Sequence, residues 1–140
     1  MKEWCITDLK VGDSAEKISA AIYSNAAAYA SIVGDSNPIH FETDEAYQSR
    51  FGKPIVHGMI LAGFISAVIG MELPGNGCIY KKQSIAFLRP AFYGENILTR
   101  VTVMEIDAPR NTVVLKTECF NPRNELVCTG EAVVLPKACP

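Results

Sequence analysis

An acid and an imidazole stand five residues apart in the segment Val33-Gly34-Asp35-Ser36-Asn37-Pro38-Ile39-His40. Pro38 removes a backbone donor and biases Asn37 toward extended geometry, so the segment is a rigid loop. A rigid loop of this length can turn Asp35 and His40 toward one water or one substrate atom. Such a pair moves protons near neutral pH, because imidazole titrates there and a carboxylate beside it can share the work. The residues alone leave a plainer account open: Asn37-Pro38 as a helix-terminating turn, Asp35 its hydrogen-bonding residue and His40 a satisfied loop histidine.

The elements that must position this loop follow from the pattern around it. Residues 14 to 22 read as a strand, Ser24 as the N-cap of an Ala-rich helix from Asn25 to Val33, and Gly34 as its stop. A short helix is expected at Asp44 to Arg50. After the turn cluster Phe51-Gly52-Lys53-Pro54 comes a helix from His57 to Met71 that is apolar on every side, the mark of a core helix. At about 1.5 Å per residue it is about 22 Å long, enough for the central element of a small domain. Leu73-Pro74-Gly75-Asn76-Gly77 ends it with turn residues and has no following helix start that would make it a phosphate loop.

From Cys78 onward the apolar period changes to two. Candidate strands are Cys78 to Leu88, Asn96 to Ile106, Thr112 to Phe120 and Glu125 to Leu135, joined by Pro-, Gly- and Asn-containing turns. In the third, Val113, Leu115, Thr117 and Cys119 share one face, which is expected to pack inward. A helix apolar all round needs cover on more than one side, and a curved antiparallel sheet supplies it. The expected fold is α+β: one domain over residues 1 to 140, with an antiparallel sheet wrapped around a long central helix, the hot-dog arrangement.

Gly58 lies at the expected start of that helix. Unpaired backbone N–H groups and the positive end of the helix dipole face outward there, and the missing side chain lets a carbonyl approach. Gly58 is therefore a candidate oxyanion donor. His57 beside it can line a site or hold the structure together. Ser66 inside the helix can touch a ligand, although a serine bonded back to its own backbone is the ordinary case.

Composition excludes several classes. A net charge of -2 with a fifth of the residues charged gives no clustered Lys/Arg face for nucleic acid or an anionic membrane. The longest uncharged run, Pro54 to Met71, falls short of the roughly 20 residues that span a bilayer. The start, Met1-Lys2-Glu3-Trp4-Cys5, lacks a signal-peptide core, so a cytoplasmic location is expected. Five cysteines at irregular spacing with no C-x-x-C pair are expected to be reduced thiols. No Cys/His/acidic cluster has metal-ligand spacing, so no metal is expected. Lys81, Lys82 and Arg89 are cations that can meet phosphates or simply face solvent.

The loop resembles that of the MaoC-like dehydratases and, more closely, of the R-specific enoyl-CoA hydratases, whose signature is Gly-Asp-x-Asn-Pro-x-His. The similarity runs on through Pro54-Ile55-Val56-His57-Gly58-Met59, Leu73-Pro74-Gly75-Asn76-Gly77, Gln83-Ser84-Ile85-Ala86-Phe87 and Thr129-Gly130-Glu131-Ala132-Val133, nearly the whole chain. It implies that Asp35 and His40 bind and activate water for reversible hydration of a trans-2-enoyl thioester. In such a reaction Gly58, by its place at the helix start, would be the oxyanion donor, and Asn37, His57 and Ser66 are candidates for substrate contact. It implies no metal or redox cofactor, an acyl-CoA or acyl-carrier-protein substrate, and at least a homodimer with the site near the subunit boundary. Two rivals share the fold: a thioesterase cleaving the same kind of substrate, and a non-catalytic acyl-CoA binding module.

Overall fold

The computed structural model describes residues 2–140. Five strands, β1 (Ser14–Ser19), β2 (Ile79–Phe87), β3 (Ile97–Asp107), β4 (Thr112–Phe120) and β5 (Leu126–Leu135), form one antiparallel sheet in the order β1-β3-β4-β5-β2. The hairpins joining β3 to β4 and β4 to β5 turn at Asn111 and Asn124, both with positive φ (51° and 61°), a region in which Asn is among the least strained residues. Alternation then decides the faces. Val113, Leu115, Thr117 and Cys119 are all fully buried, as the period of two predicts, and they join Val101, Val103, Val127, Ala132 and Val134. At Gly130 the strands approach so closely that a Cβ would collide with the Ser84 carbonyl of β2.

Helix α3 (Gly58–Met71) packs against β1, β3 and β4 through Leu61, Ile65, Val68 and Ile69, which share one cluster with the buried face of the sheet. The helix-on-curved-sheet arrangement is the α+β hot-dog fold. Cover on every side of the helix, however, is not what one chain provides. The buried positions fall at i, i+4, i+7 and i+8, a single stripe, while Met59, Gly63, Ser66 and Met71 remain exposed. One five-stranded sheet covers one side of a helix.

Helix α1 (Ala26–Val33) follows a 3-10 turn at Tyr23–Asn25. Ser24 is not the expected N-cap: it lies inside that turn, and the flanking Asn25 is already helical (φ -93°, ψ -6°) with no side-chain cap bond. Gly34 ends α1 as expected, left-handed at φ 79°, its N–H donating to Ala30 O at 2.7 Å. Helix α2 (Asp44–Gln48) stops two residues before the expected Arg50, because the Ser49 hydroxyl turns back to donate to Ala46 O.

The expectation of five reduced thiols is corrected. Cys5 and Cys139 are paired as a disulfide with Cα atoms 5.2 Å apart, leaving Cys78, Cys119 and Cys128 free. Spacing could not reveal the pair: 134 residues separate them, and only the meeting of the N-terminal arm with the segment after β5, through a bridge between Cys5 and Lys137, brings them together. A thiol titration in denaturant is expected to count three groups per chain without reductant and five after reduction. Five before reduction would overturn the pairing.

Candidate active site

The loop after α1 is shaped by its own polar side chains. Asp35 Oδ1 accepts from Asn37 N (3.1 Å), Asn37 Oδ1 accepts from Ile39 N (3.2 Å), and Pro38–His40 forms one 3-10 turn with proline at its first position. The Thr43 hydroxyl donates to Pro38 O at 2.8 Å. The turn is then fastened to the segment before α3: Ile55 N donates to Ile39 O (3.1 Å), and His40 Nδ1 lies 2.9 Å from Ile55 O. A carbonyl only accepts, so Nδ1 carries the hydrogen and the His40 Nε2 lone pair is free. Tyr93 fixes the same residue from the other side, its hydroxyl donating to His40 O at 2.9 Å.

Asp35 and His40 do converge. Asp35 Oδ2 lies 4.0 Å from His40 Nε2. Direct hydrogen bonding is excluded at that distance, but a single water at about 2.8 Å from each atom bridges two acceptors so placed. The two groups differ in environment: the Asp35 side chain is half exposed, whereas the His40 ring is largely buried. Burial holds the His40 pKa below its ordinary 6.5, with nearby His57 acting in the same direction, while the bond to Ile55 O and the Asp35 charge oppose the shift. His40 therefore enters neutral solution as a base.

His57, 2% exposed, is the N-cap of α3. Its ring stacks on His40 with centroids 3.8 Å apart, and its Nε2 lies 3.0 Å from Asp35 O and 3.9 Å from Asp35 Oδ2. Folding thus assembles a cluster that sequence spacing did not show: one ligand-type atom each from Asp35, His40 and His57, all within 4.8 Å. Its geometry is poor for a metal. Tetrahedral binding at about 2.0–2.1 Å sets donors roughly 3.4 Å apart with their lone pairs converging. The nearly parallel imidazoles do not converge, and the hydrogen on His57 Nε2 is given to Asp35 O.

His40 and Gly58 line a cavity of about 470 Å³ whose walls are mainly apolar, including Leu61, Met59 and Phe87. The volume suits a small acyl group. Gly58 is the first residue of α3, where the N–H has no partner within the helix. A Cβ at this position would stand 3.0 Å from the Phe87 ring, so only glycine leaves the ring undisturbed.

Other expected contacts are placed differently. Asn37 is exposed and its carbonyl oxygen is engaged in shaping the loop. Ser66 stands on the open face of α3, outside the cavity lining. Lys81 and Lys82 face solvent on β2, also outside the lining. Arg89 does line the cavity, held by Leu126 O (3.0 Å) and Glu125 (3.4 Å). Sequence reasoning missed Arg50 and Phe51, which line the cavity from beyond α2; no motif marks them, only the fold.

Fold and site together place the chain in a class of small helix-in-sheet proteins carrying an acid–imidazole pair on the loop after the first helix. It belongs to the MaoC like domain family, whose profile matches residues 11–119. It is 37% identical over 126 residues to an (R)-specific enoyl-CoA hydratase of Aeromonas caviae, covering 90% of this chain and 94% of the relative. It is 33% identical over 132 residues to a mitochondrial 3-hydroxyacyl-[acyl-carrier-protein] dehydratase of Arabidopsis thaliana, covering 92% and 78%. Among solved structures, an unliganded R-hydratase of Pseudomonas aeruginosa superposes with a TM-score of 0.88 at 34% identity, covering 95% of this chain and 85% of that one.

Proposed function

We propose that this protein is an (R)-specific enoyl-CoA hydratase, equally a 3-hydroxyacyl-CoA dehydratase in reverse, with Asp35 and His40 as its acid–base pair. The observation that carries the reading is the 4.0 Å gap between Asp35 Oδ2 and His40 Nε2, with His40, though not Asp35, lining the apolar cavity that Gly58 at the start of α3 also lines. The hydrogens of a bridging water point at the carboxylate and the imidazole, leaving an oxygen lone pair for C3 of the enoyl group. As the C3–O bond forms, the pair takes a proton from the water and the double-bond electrons move toward the thioester oxygen. That oxygen is met by Gly58 N–H, and C2 then receives a proton from the pair. The R stereochemistry is taken from the named relatives.

The reaction so drawn needs no metal or redox cofactor; coenzyme A, or the acyl carrier protein in its place, is part of the substrate. A homodimer supplies what one chain leaves open. The exposed side of α3 and the edge strand β2, with Ile79 and Phe87 exposed and Leu88 exposed just beyond it, form apolar surface for a second copy. No helix among the described residues is long and apolar enough to cross a membrane. We place the protein in the cytoplasm, where the Cys5–Cys139 pair would meet a reducing thiol pool.

The decisive measurement is loss of the enoyl absorbance of crotonyl-CoA on adding protein. No loss with any enoyl-CoA or enoyl-acyl-carrier-protein chain length would end the hydratase reading, and thiol release in its place would make the protein a thioesterase. The pH dependence has a defined sign. His40 must be unprotonated to act as base, and burial holds its pKa below 6.5, so the acid limb of kcat/KM is expected to have its midpoint below 6.5. An acid limb centred above 6.5 would contradict the buried, neutral imidazole.

A further inference from the structure

Three features of His57 go beyond filling space. Its ring lies flat against His40, at an interplanar angle of 24°. Its Nε2 reaches Asp35 O at 3.0 Å, and since a carbonyl only accepts, that nitrogen must carry the hydrogen. The remaining nitrogen, Nδ1, is buried without a hydrogen-bond partner. An apolar ring would occupy the site without burying an unpaired polar atom, so packing alone does not account for the imidazole. The ring is confined further by the edge-on rings of Tyr29 (4.8 Å) and Phe41 (6.1 Å).

The backbone of His57 adds a second connection. Its carbonyl accepts from Ile60 N at 3.0 Å, which fixes the peptide plane that also carries Gly58 N–H. One residue is thereby tied to the acid through Asp35 O, to the base through the ring stack, and to the helix-start amide through its own peptide bond.

The geometry points to His57 as a positioning residue for the hydration reaction, one that sets the Asp35–His40 pair in register with the Gly58 amide without touching the substrate. The inference rests on the hydratase reading above. His57 holds the Asp35 main chain so that the carboxylate stays beside the water position, and its ring shields one face of His40 from solvent. Small displacements of reacting groups have large kinetic consequences, so loss of either contact acts on turnover rather than on binding.

Two variants separate the contacts. His57→Phe keeps a flat ring for His40 but has no donor for Asp35 O; His57→Gln keeps a donor but removes the ring. Each is expected to lower kcat for crotonyl-CoA hydration about 10- to 100-fold while KM stays within about threefold. The acid limb of kcat/KM should move to higher pH in both variants, because each removes the lowering influence of His57 on His40, and should move further in His57→Gln, where water also reaches His40. The groups facing His40 that could set that limb are Asp35, His57, the cavity cations Arg50 and Arg89, and Tyr93; only His57 changes between the variants. Folded variants with parental kcat and acid limb, whatever their melting temperature, would show a purely structural residue. A raised KM at unchanged kcat would show a substrate contact, which also overturns the proposal.

Because the chain has only two histidines, nitrogen-15 NMR of the unmodified protein checks the same idea without relying on a variant that folds. His57 should carry its hydrogen on Nε2 and His40 on Nδ1; the opposite tautomer at His57 would remove the bond to Asp35 and sink the inference. A parent protein with the expected tautomers but no hydration of any enoyl thioester would instead refute the hydratase reading, and the positioning role with it.

Discussion

Replacing His40 with alanine is expected to lower kcat for crotonyl-CoA hydration by roughly 10²- to 10⁴-fold, the usual worth of a positioned acid–base group. KM should change far less, because the apolar residues of the cavity wall, Met59, Leu61 and Phe87 among them, are untouched. Asp35→Asn should fall in the same range: it keeps the shape of the side chain and one acceptor oxygen for Asn37 N, but loses the charge beside His40. The informative quantity is the double variant. If the two side chains act on one water across their 4.0 Å gap, removing the second costs little once the first is gone, and the combined loss stays close to the larger single loss. Multiplying losses would mean two independent groups and would refute the shared-water mechanism. The variants are expected to fold, since the Asp35 carboxylate is half exposed and the loop keeps its Pro38 and Asn37 turn.

How much of this was open to reading from sequence depended on how local its cause is. The strand faces followed directly from the period of two: Val113, Leu115, Thr117 and Cys119 were assigned inward and all four are buried. The stop of α1 at Gly34 and the stiff turn at Pro38 were equally local, since each is set by a single residue's backbone preference. Asp35 and His40 share that stiff turn, but the residues alone left a plain turn open; it was the resemblance of the loop to the Gly-Asp-x-Asn-Pro-x-His signature that named them as a pair, and their 4.0 Å separation had no trace in the sequence. What stayed hidden was non-local. The position of His57 against His40 depends on Ile39 and Ile55 pairing across fifteen residues of chain, a contact that no spacing rule encodes. Arg50 and Phe51 line the cavity from the segment just after α2, which ends at Gln48, and no motif of their own marks them. The Cys5–Cys139 pair joins the two ends of the sequence. Ser24 failed as a cap because the chain entered helix through a 3-10 turn, which satisfies the first donors in another way.

The amide at the start of α3 can be tested by removing one hydrogen. Gly58→Pro deletes the N–H at the first helical position, where proline is tolerated because that donor has no partner in the helix. The preceding His57, at φ -53° and ψ 125°, already holds the extended ψ that a following proline demands. Proline also brings a Cβ, which meets the Phe87 ring at 3.0 Å, but Phe87 is about half exposed on the edge strand and can yield. Gly58→Ala brings the same Cβ and keeps the N–H, so it carries the steric cost alone. If the amide stabilises the thioester oxyanion, proline should turn over roughly 10²- to 10³-fold more slowly than alanine, the usual loss for one such donor. Equal rates for the two would mean that glycine is needed here only for room, and that the developing charge is met by some other group.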